Sequence, residues 1–375
     1  MGLLALTAFV AAIVGATPPA VQPSVSVVWH PDTLSLVREG AGYGRIARIG
    51  PDELLCAYGH GKEAWVSRSL DGGRTWIDPR VAARIDYAAA ANSEILVTRR
   101  GEVLHFINER PTDGKSPFAI SVVRSSDGGR TWSPRQLLYR ADSLFENGCW
   151  EPAAVEIPGG PIRLVFANES PYRNSGEQEI TMMSSWDGGR TWTRPRAVSF
   201  RPGHRDGMPV PALARDGRTL FVAIEDNGLV GPAMKPTIVQ VARPLPVMPG
   251  SPHRWGALAE PAPAELNIAA PYLVMLPEGG SLLSCQISEP GGEPQMVVYA
   301  GDSMARGFGR PTKPFASVGA VQGLWNSLFV ATERSVIAVT GAVIGGRVGL
   351  WTMEGTIKPA PGRRANHPVR GDAAP

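Results

Sequence analysis

Two glutamates stand against apolar sequence, Glu151 in Cys149-Trp150-Glu151-Pro152 and Glu225 in Ala223-Ile224-Glu225. A carboxylate set between an indole and a proline loses part of its hydration, which disfavours the charged form and raises the pKa. Glu151 is therefore suited to hold a proton near neutral pH and deliver it to a leaving group. Asp206 has Arg205 beside it and reads as ionised, suited to orienting a hydroxyl or to attacking an electrophilic carbon. Arg45, His60, Trp150, Asn168, Glu169, Tyr272, Gln286, Trp325 and Asn326 lie where apolar, strand-like runs begin or end, and polar and aromatic residues together are what a sugar site offers. His105, Glu109 and Asp226 hold similar positions; for His60 and His105 a solvated loop is the plainer reading. The six histidines are dispersed, and neither H-E-x-x-H nor C-x-x-C occurs, so the expected chemistry uses no metal and no cofactor.

A repeat must position these residues. Ser69-Leu70-Asp71-Gly72-Gly73-Arg74-Thr75-Trp76 returns as Ser125-Ser126-Asp127-Gly128-Gly129-Arg130-Thr131-Trp132 and as Ser185-Trp186-Asp187-Gly188-Gly189-Arg190-Thr191-Trp192. The spacing of roughly 60 residues marks a unit that cannot bury its own hydrophobic face. A strand-like run leads into each copy, so the motif closes a strand: the Asp accepts from backbone N–H groups of its turn, the glycines supply positive φ, and the Trp wedges between neighbouring sheets. As a calcium loop the motif lacks the further acidic positions. Six apolar hairpins, around residues 46–58, 95–107, 153–167, 210–224, 272–285 and 328–339, are each followed by further strand-like sequence. They predict one all-β domain over residues 24–357, a six-bladed β-propeller of four-stranded blades. Residues 25–29 are expected to supply the outer strand of the last blade and so remove the exposed edge. In such a blade the first strand descends the central channel and the second returns. First-strand beginnings and second-strand ends therefore share one mouth, and the repeated motif lies at the opposite end.

Composition agrees. Gly 43, Pro 35 and Trp 10 among 375 residues suit short strands and tight turns, and only 19% of residues are charged. The net charge of +3 comes without any basic run, which argues against a nucleic-acid partner; a carbohydrate partner and a monomer are expected. The apolar run from Leu3 to Val14 is shorter than the ~20 residues of a membrane span. With Gly15-Ala16 it reads as a signal peptide over residues 1–16, and the protein as secreted or periplasmic. Residues 358–375, rich in Pro, Arg, Gly and Ala, read as a disordered tail. Cys56, Cys149 and Cys285 are too few and scattered for a disulfide framework and are expected as buried thiols.

The repeated motif resembles the Asp-box of sialidase-like β-propellers. Cys149-Trp150-Glu151-Pro152, Phe166-Ala167-Asn168-Glu169, Arg205-Asp206-Gly207-Met208-Pro209, Ala270-Pro271-Tyr272-Leu273 running on to Ser284-Cys285-Gln286, and Trp325-Asn326-Ser327-Leu328 together look like the exo-α-1,5-L-arabinanase family of glycoside hydrolases. The resemblance covers roughly residues 40–355. It implies retaining release of arabinobiose from the non-reducing end of arabinan by two glutamates, with Glu151 at the position of the acid/base and Glu225 at that of the nucleophile. A retaining pair must stand about 5–5.5 Å apart, which adjacent blades can supply. Asp206 stays an alternative to Glu225 as nucleophile.

Two other readings stand beside this one. Arg45-Ile46-Ala47 resembles the Arg-Ile-Pro start of the first sialidase blade, where Arg45 would bind a carboxylate. Against a sialidase, Gly59-His60-Gly61-Lys62-Glu63-Ala64 holds no Asp for its acid, and no Tyr follows Tyr299 to serve as its nucleophile. The third reading is a non-catalytic glycan-binding propeller, since a fold does not dictate activity.

Overall fold

The computed structural model describes residues 25–228, 233–241, 253–260 and 262–359. Short runs rich in β-branched and aromatic residues, broken by Gly, Pro or Asp, pair with their sequence neighbours and build six antiparallel sheets. Blade I comprises Gly42–Arg48, Leu54–His60, Glu63–Ser69 and Ile77–Arg84. Blade II comprises Ala88–Val97, Val103–Pro111, Ala119–Ser125 and Gln136–Arg140. Blade III follows with Cys149–Glu156, Ile162–Asn168, Glu179–Ser185 and Arg196–Ser199, and blade IV with His204–Leu213, Leu220–Gly228, Lys235–Val241 and His253–Gly256. Blade V has a ladder of three strands, Asn267–Met275, Ser281–Ser288 and Gln295–Gly301, and its fourth is reduced to a bridge between Val298 and Thr312. Blade VI is Val321–Thr332, Ser335–Ile344 and Arg347–Pro359.

The first strand of each blade packs against that of the next, and blade VI packs against blade I, so the ring closes into a six-bladed β-propeller. Val25–Trp29 pairs with Gly355–Pro359, the closure expected from the sequence. A second N-terminal strand, Ser35–Glu39, continues along the same edge opposite Gly349–Thr352. Lys358 and Pro359, assigned to the tail from sequence, are paired with Ser26 and Val25. The rest of that tail and the signal-peptide segment lie outside the described residues.

The three Asp-boxes clamp each blade to the one before it. In the first, Asp71 Oδ1 accepts from the N–H groups of Arg74 and Thr75 at 3.1 and 2.9 Å, and Oδ2 accepts from the Thr75 hydroxyl at 2.6 Å. These donors hold the carboxyl of Asp71, and its counterparts Asp127 and Asp187, below the usual carboxylate range. The second glycine of each box has positive φ and rests on the preceding blade: a Cβ on Gly73 would meet Ile337 at 2.7 Å, on Gly129 Leu55 at 2.7 Å, and on Gly189 Leu104 at 2.9 Å. Trp132 packs on Leu55 and Val66 of blade I, and Trp192 meets Phe106 of blade II at 5.9 Å. The boxes sit beside the turns joining first and second strands, as the Gly72 N–H donating to Asp52 O at 3.0 Å marks, so they occupy the end opposite the mouth.

Candidate active site

Every first strand carries the same irregularity near its start. The register slips across residues 42–45, 91–94, 150–153, 207–210, 269–272 and 324–327, so that two residues face one on the second strand. The leading residue of each pair is left-handed: Tyr43 (φ 56°), Asn92 (40°), Glu151 (53°), Met208 (40°), Ala270 (49°) and Trp325 (48°). That backbone costs a non-glycine residue roughly 1–2 kcal/mol. In return a β-bulge bends the strand and re-aims a side chain. The bulges recur at one level of the ring, and Tyr43, Met208 and Ala270, from blades I, IV and V, touch one another. Pro152, Pro209 and Pro271 take the second bulge position, where a residue without an N–H is tolerated. Glu151 is the only carboxylate among the six leading residues.

Glu151 and Glu225 flank one peptide. The Met208 N–H donates to Glu151 Oε2 at 3.3 Å, and Glu225 is the register partner of Gly207, whose Cβ, if present, would stand 3.3 Å from Glu225 Oε2 and 3.2 Å from Gln178 Oε1. Glycine at 207 leaves room beside the carboxyl of Glu225 and the amide of Gln178. Glu225 Oε1 accepts from the Ala270 N–H at 2.5 Å. Burial raises the pKa of both. For Glu225 the nearby charge of Glu151 adds to burial and the value reaches about 7. At Glu151 the Arg110 guanidinium, 4.0 Å from Oε1, offsets part of the rise.

The surrounding charges include two that sequence reasoning missed. Glu94, in the first strand of blade II, is buried and pushed up to about 7 by desolvation; it faces Arg45 Nε at 3.9 Å. Arg45 is 2% exposed, its guanidinium lies over Tyr43 (3.9 Å) and Tyr272 (4.8 Å), and Nη1 donates to the carbonyls of Gly44 (2.9 Å) and Trp325 (3.3 Å). Arg110, at the end of the second strand of blade II, is held by Asn108 Oδ1 and Asn92 Oδ1 and covers the Trp150 ring at 5.0 Å. The positions of Glu94 and Arg110, beside a first-strand start and at a second-strand end, were the signal available for both. Trp325 is exposed at the mouth, and Gln286 Oε1 accepts from its N–H at 3.1 Å.

Other residues picked from the sequence support the mouth from behind. Glu169 is buried, accepts from Trp150 Nε1 at 3.0 Å and pairs with Arg205, so Arg205 belongs to Glu169 and not to Asp206. Asp206 is fully buried among Ser199, Arg201 and Arg254, with both oxygens engaged. This removes it from the surface a sugar could reach and corrects the expectation that it orients a hydroxyl or attacks. Asn168 is buried and bonded to Tyr139 and Thr181, and Asn326 is buried with Oδ1 accepting from Thr340. His60 is exposed and within 3.2 Å of Gly40 O. His105 is sealed edge-on against Trp132, and Glu109 is sealed against Tyr87 and Arg135. Cys56, Cys149 and Cys285 are buried and free.

Residues 119–236 match the model of the BNR repeat-like domain. No curated protein matches the sequence. Among solved structures, an α-L-arabinanase from Penicillium chrysogenum complexed with arabinobiose aligns over 89% of this chain and 98% of its own, at 16% identity and a TM-score of 0.66. An α-L-arabinofuranosidase from Fusarium graminearum in complex with an iminosugar inhibitor aligns over 88% and 97%, at 16% identity and 0.64. A Hadza microbial sialidase aligns over 83% of this chain and 65% of its own, at 14% identity and 0.56. Likeness at this level of identity establishes the fold: the chain is a six-bladed β-propeller of sialidase-like architecture that carries a match to the BNR repeat-like domain.

Proposed function

We propose that this chain is an exported, exo-acting, retaining glycoside hydrolase for an arabinan-like oligosaccharide, with Glu151 as acid/base and Glu225 as nucleophile. The observation that carries the proposal is the pair of buried carboxyls flanking the Gly207–Met208 peptide, both with raised pKa. Burial and the Glu151 charge favour the neutral form of Glu225, burial favours that of Glu151, and one neutral beside one ionised carboxyl is the state a retaining hydrolase starts from. Glu151 protonates the glycosidic oxygen, Glu225 attacks the anomeric carbon, and the aglycone leaves as an alcohol. Water then attacks the glycosyl ester, giving its proton to Glu151 and freeing Glu225. An arabinan-like substrate is favoured over a sialoside because Arg45 is 2% exposed, lies over two tyrosine rings, donates from Nη1 to two carbonyls and already faces the carboxyl of Glu94 at 3.9 Å. The two arabinoside-acting neighbours point the same way. Export rests on the apolar run of residues 3–14.

One observation favours the reverse assignment of roles. Arg110 stands beside Glu151, whereas for Glu225 burial and the Glu151 charge both raise the pKa and only the Ala270 N–H opposes them, which supports Glu225 as the proton donor. Azide rescue separates the two assignments. With Glu151 as acid/base, Glu151→Ala retains the first step on an activated aryl arabinofuranoside and azide yields the retained glycosyl azide. Glu225→Ala loses turnover, and azide yields the inverted product. Exchanged products would exchange the roles, and parental turnover by both variants would refute the two-glutamate mechanism.

A further inference from the structure

The segment that carries the chain from blade II into blade III, residues 141–148, is fixed in place yet leaves its apolar side chains in solvent. Asp142 Oδ1 accepts from the N–H groups of Ser143 at 2.6 Å and Leu144 at 3.2 Å, and Oδ2 pairs with Arg173 at 3.2 Å. The Gly148 N–H donates to Phe145 O at 3.2 Å, and Gly148 O accepts from the Glu169 N–H at 3.0 Å. On this frame Leu144 is 53% and Phe145 68% exposed. Adjacent apolar side chains held in water on a fixed backbone are available as a contact surface without further ordering cost. The segment connects to the carboxylates through packed rings and a cation: the Phe145 ring lies 4.8 Å from the ring of the buried Trp150, tilted by 50°, Arg110 covers that Trp150 ring at 5.0 Å, and Arg110 stands 4.0 Å from Glu151 Oε1. Because the segment joins a fourth strand to a first strand, it lies on the face of the mouth.

We propose that Leu144 and Phe145 form a subsite for one neutral sugar ring of an oligosaccharide, one position outward from the ring held at Glu151 and Glu225. The proposal rests on the glycosidase reading above. A sugar ring presents a face of C–H groups and an edge of hydroxyls, and is matched by an apolar plate with polar groups around it. Phe145 is the plate; Ser143, Glu146 and Arg173, all exposed, are the rim. Two adjacent exposed apolar residues offer fewer contacts than the apolar face of a peptide helix needs for its anchors at i, i+3, i+4 and i+7.

The test is titration calorimetry of methyl α-L-arabinofuranoside, a single ring, and of arabino-oligosaccharides of two to five units on the Glu225→Gln protein, where turnover is blocked. The quantity read is the ratio of Kd for the shortest ligand to Kd for the longest. With Phe145→Ala added, the ratio is expected to shrink about five- to tenfold, the worth of one aromatic contact. Phe145→Trp is expected to preserve it, which guards against a folding artefact. Binding at every length with the parental ratio in Phe145→Ala would overturn the subsite and leave the glycosidase reading intact. Absence of binding at all lengths would overturn both.

Discussion

Replacing Glu225 with Gln is expected to make the protein more stable, and only at higher pH. In the folded chain Glu225 is raised from 4.5 to about 7 by burial and by the neighbouring Glu151 charge. Between those values the folded state binds the proton and the unfolded state releases it, so stability falls as pH rises through the window. Below pH 4.5 the cost is absent; above about 7 it is complete. The interval of about 2.5 pH units, at about 1.4 kcal/mol each, amounts to about 3.5 kcal/mol. Gln carries no charge at any pH, and its Oε1 keeps the bond from the Ala270 N–H that Glu225 makes at 2.5 Å. Over the roughly 320 described residues, about 3.5 kcal/mol corresponds to a rise in Tm of about 5 °C.

Thermal melts of the parent and Glu225→Gln at pH 4 and pH 8 read this directly. Equal Tm at pH 4 and a gain at pH 8 is the expected result. A difference that does not change with pH, or a loss at pH 8, would refute the claim that a buried, destabilising carboxylate stands at position 225.

Trp132→Ala removes the plate between blades I and II, where it packs on Leu55 and Val66, and is expected to cost about 3–5 kcal/mol in chemical denaturation. Active-site titration of the molecules that remain folded should give parental turnover. Arg110→Gln removes the cation 4.0 Å from Glu151 and should raise the pKa of that carboxyl further, moving the alkaline limb of kcat/KM up by about 1 pH unit. Arg110→Lys should restore part of the parental profile, whereas an unshifted limb would remove Arg110 from the electrostatics of the acid.

The fold was legible because its devices are local. Each box is one strand end and one turn, and Asp71, Asp127 and Asp187 make their bonds within four residues, so the sequence alone prescribes them. The Ser35–Glu39 strand escaped notice because its partner, Gly349–Thr352, is over 300 residues away and its own register bulges between Leu36 and Arg38. Placement at a strand start drew attention to Glu151 and Asp206 alike, but whether such a residue faces the channel depends on the bulge. Glu151 occupies the left-handed bulge position, whereas Asp206 precedes its bulge by two residues and is captured by Arg201, five residues upstream, and by Arg254, which no short-range pattern brings near. The prolines at 152, 209 and 271 were the visible trace of the bulges; in blades I, II and VI the equivalent residues are Gly44, Ser93 and Asn326, which carry no such mark.

The two ends of the propeller respond to pH with opposite sign. At the box end the carboxyls of Asp71, Asp127 and Asp187 are held low by their turns, so their contribution is present above the unfolded value of 3.8 and is lost as pH falls through their folded values. At the mouth Glu94 and Glu225 are held high, so their contribution is complete below 4.5 and is lost as pH rises toward about 7. These carboxyls together favour the fold most in the narrow range around pH 4 to 4.5, below the value of about 7 at which Glu225 loses its proton. The repeat thus works against its own exception. Six bulges and three boxes give a rigid ring, and that rigidity keeps Glu151 in a left-handed conformation beside a second carboxyl, an arrangement that a looser fold would relax by turning one of them into water.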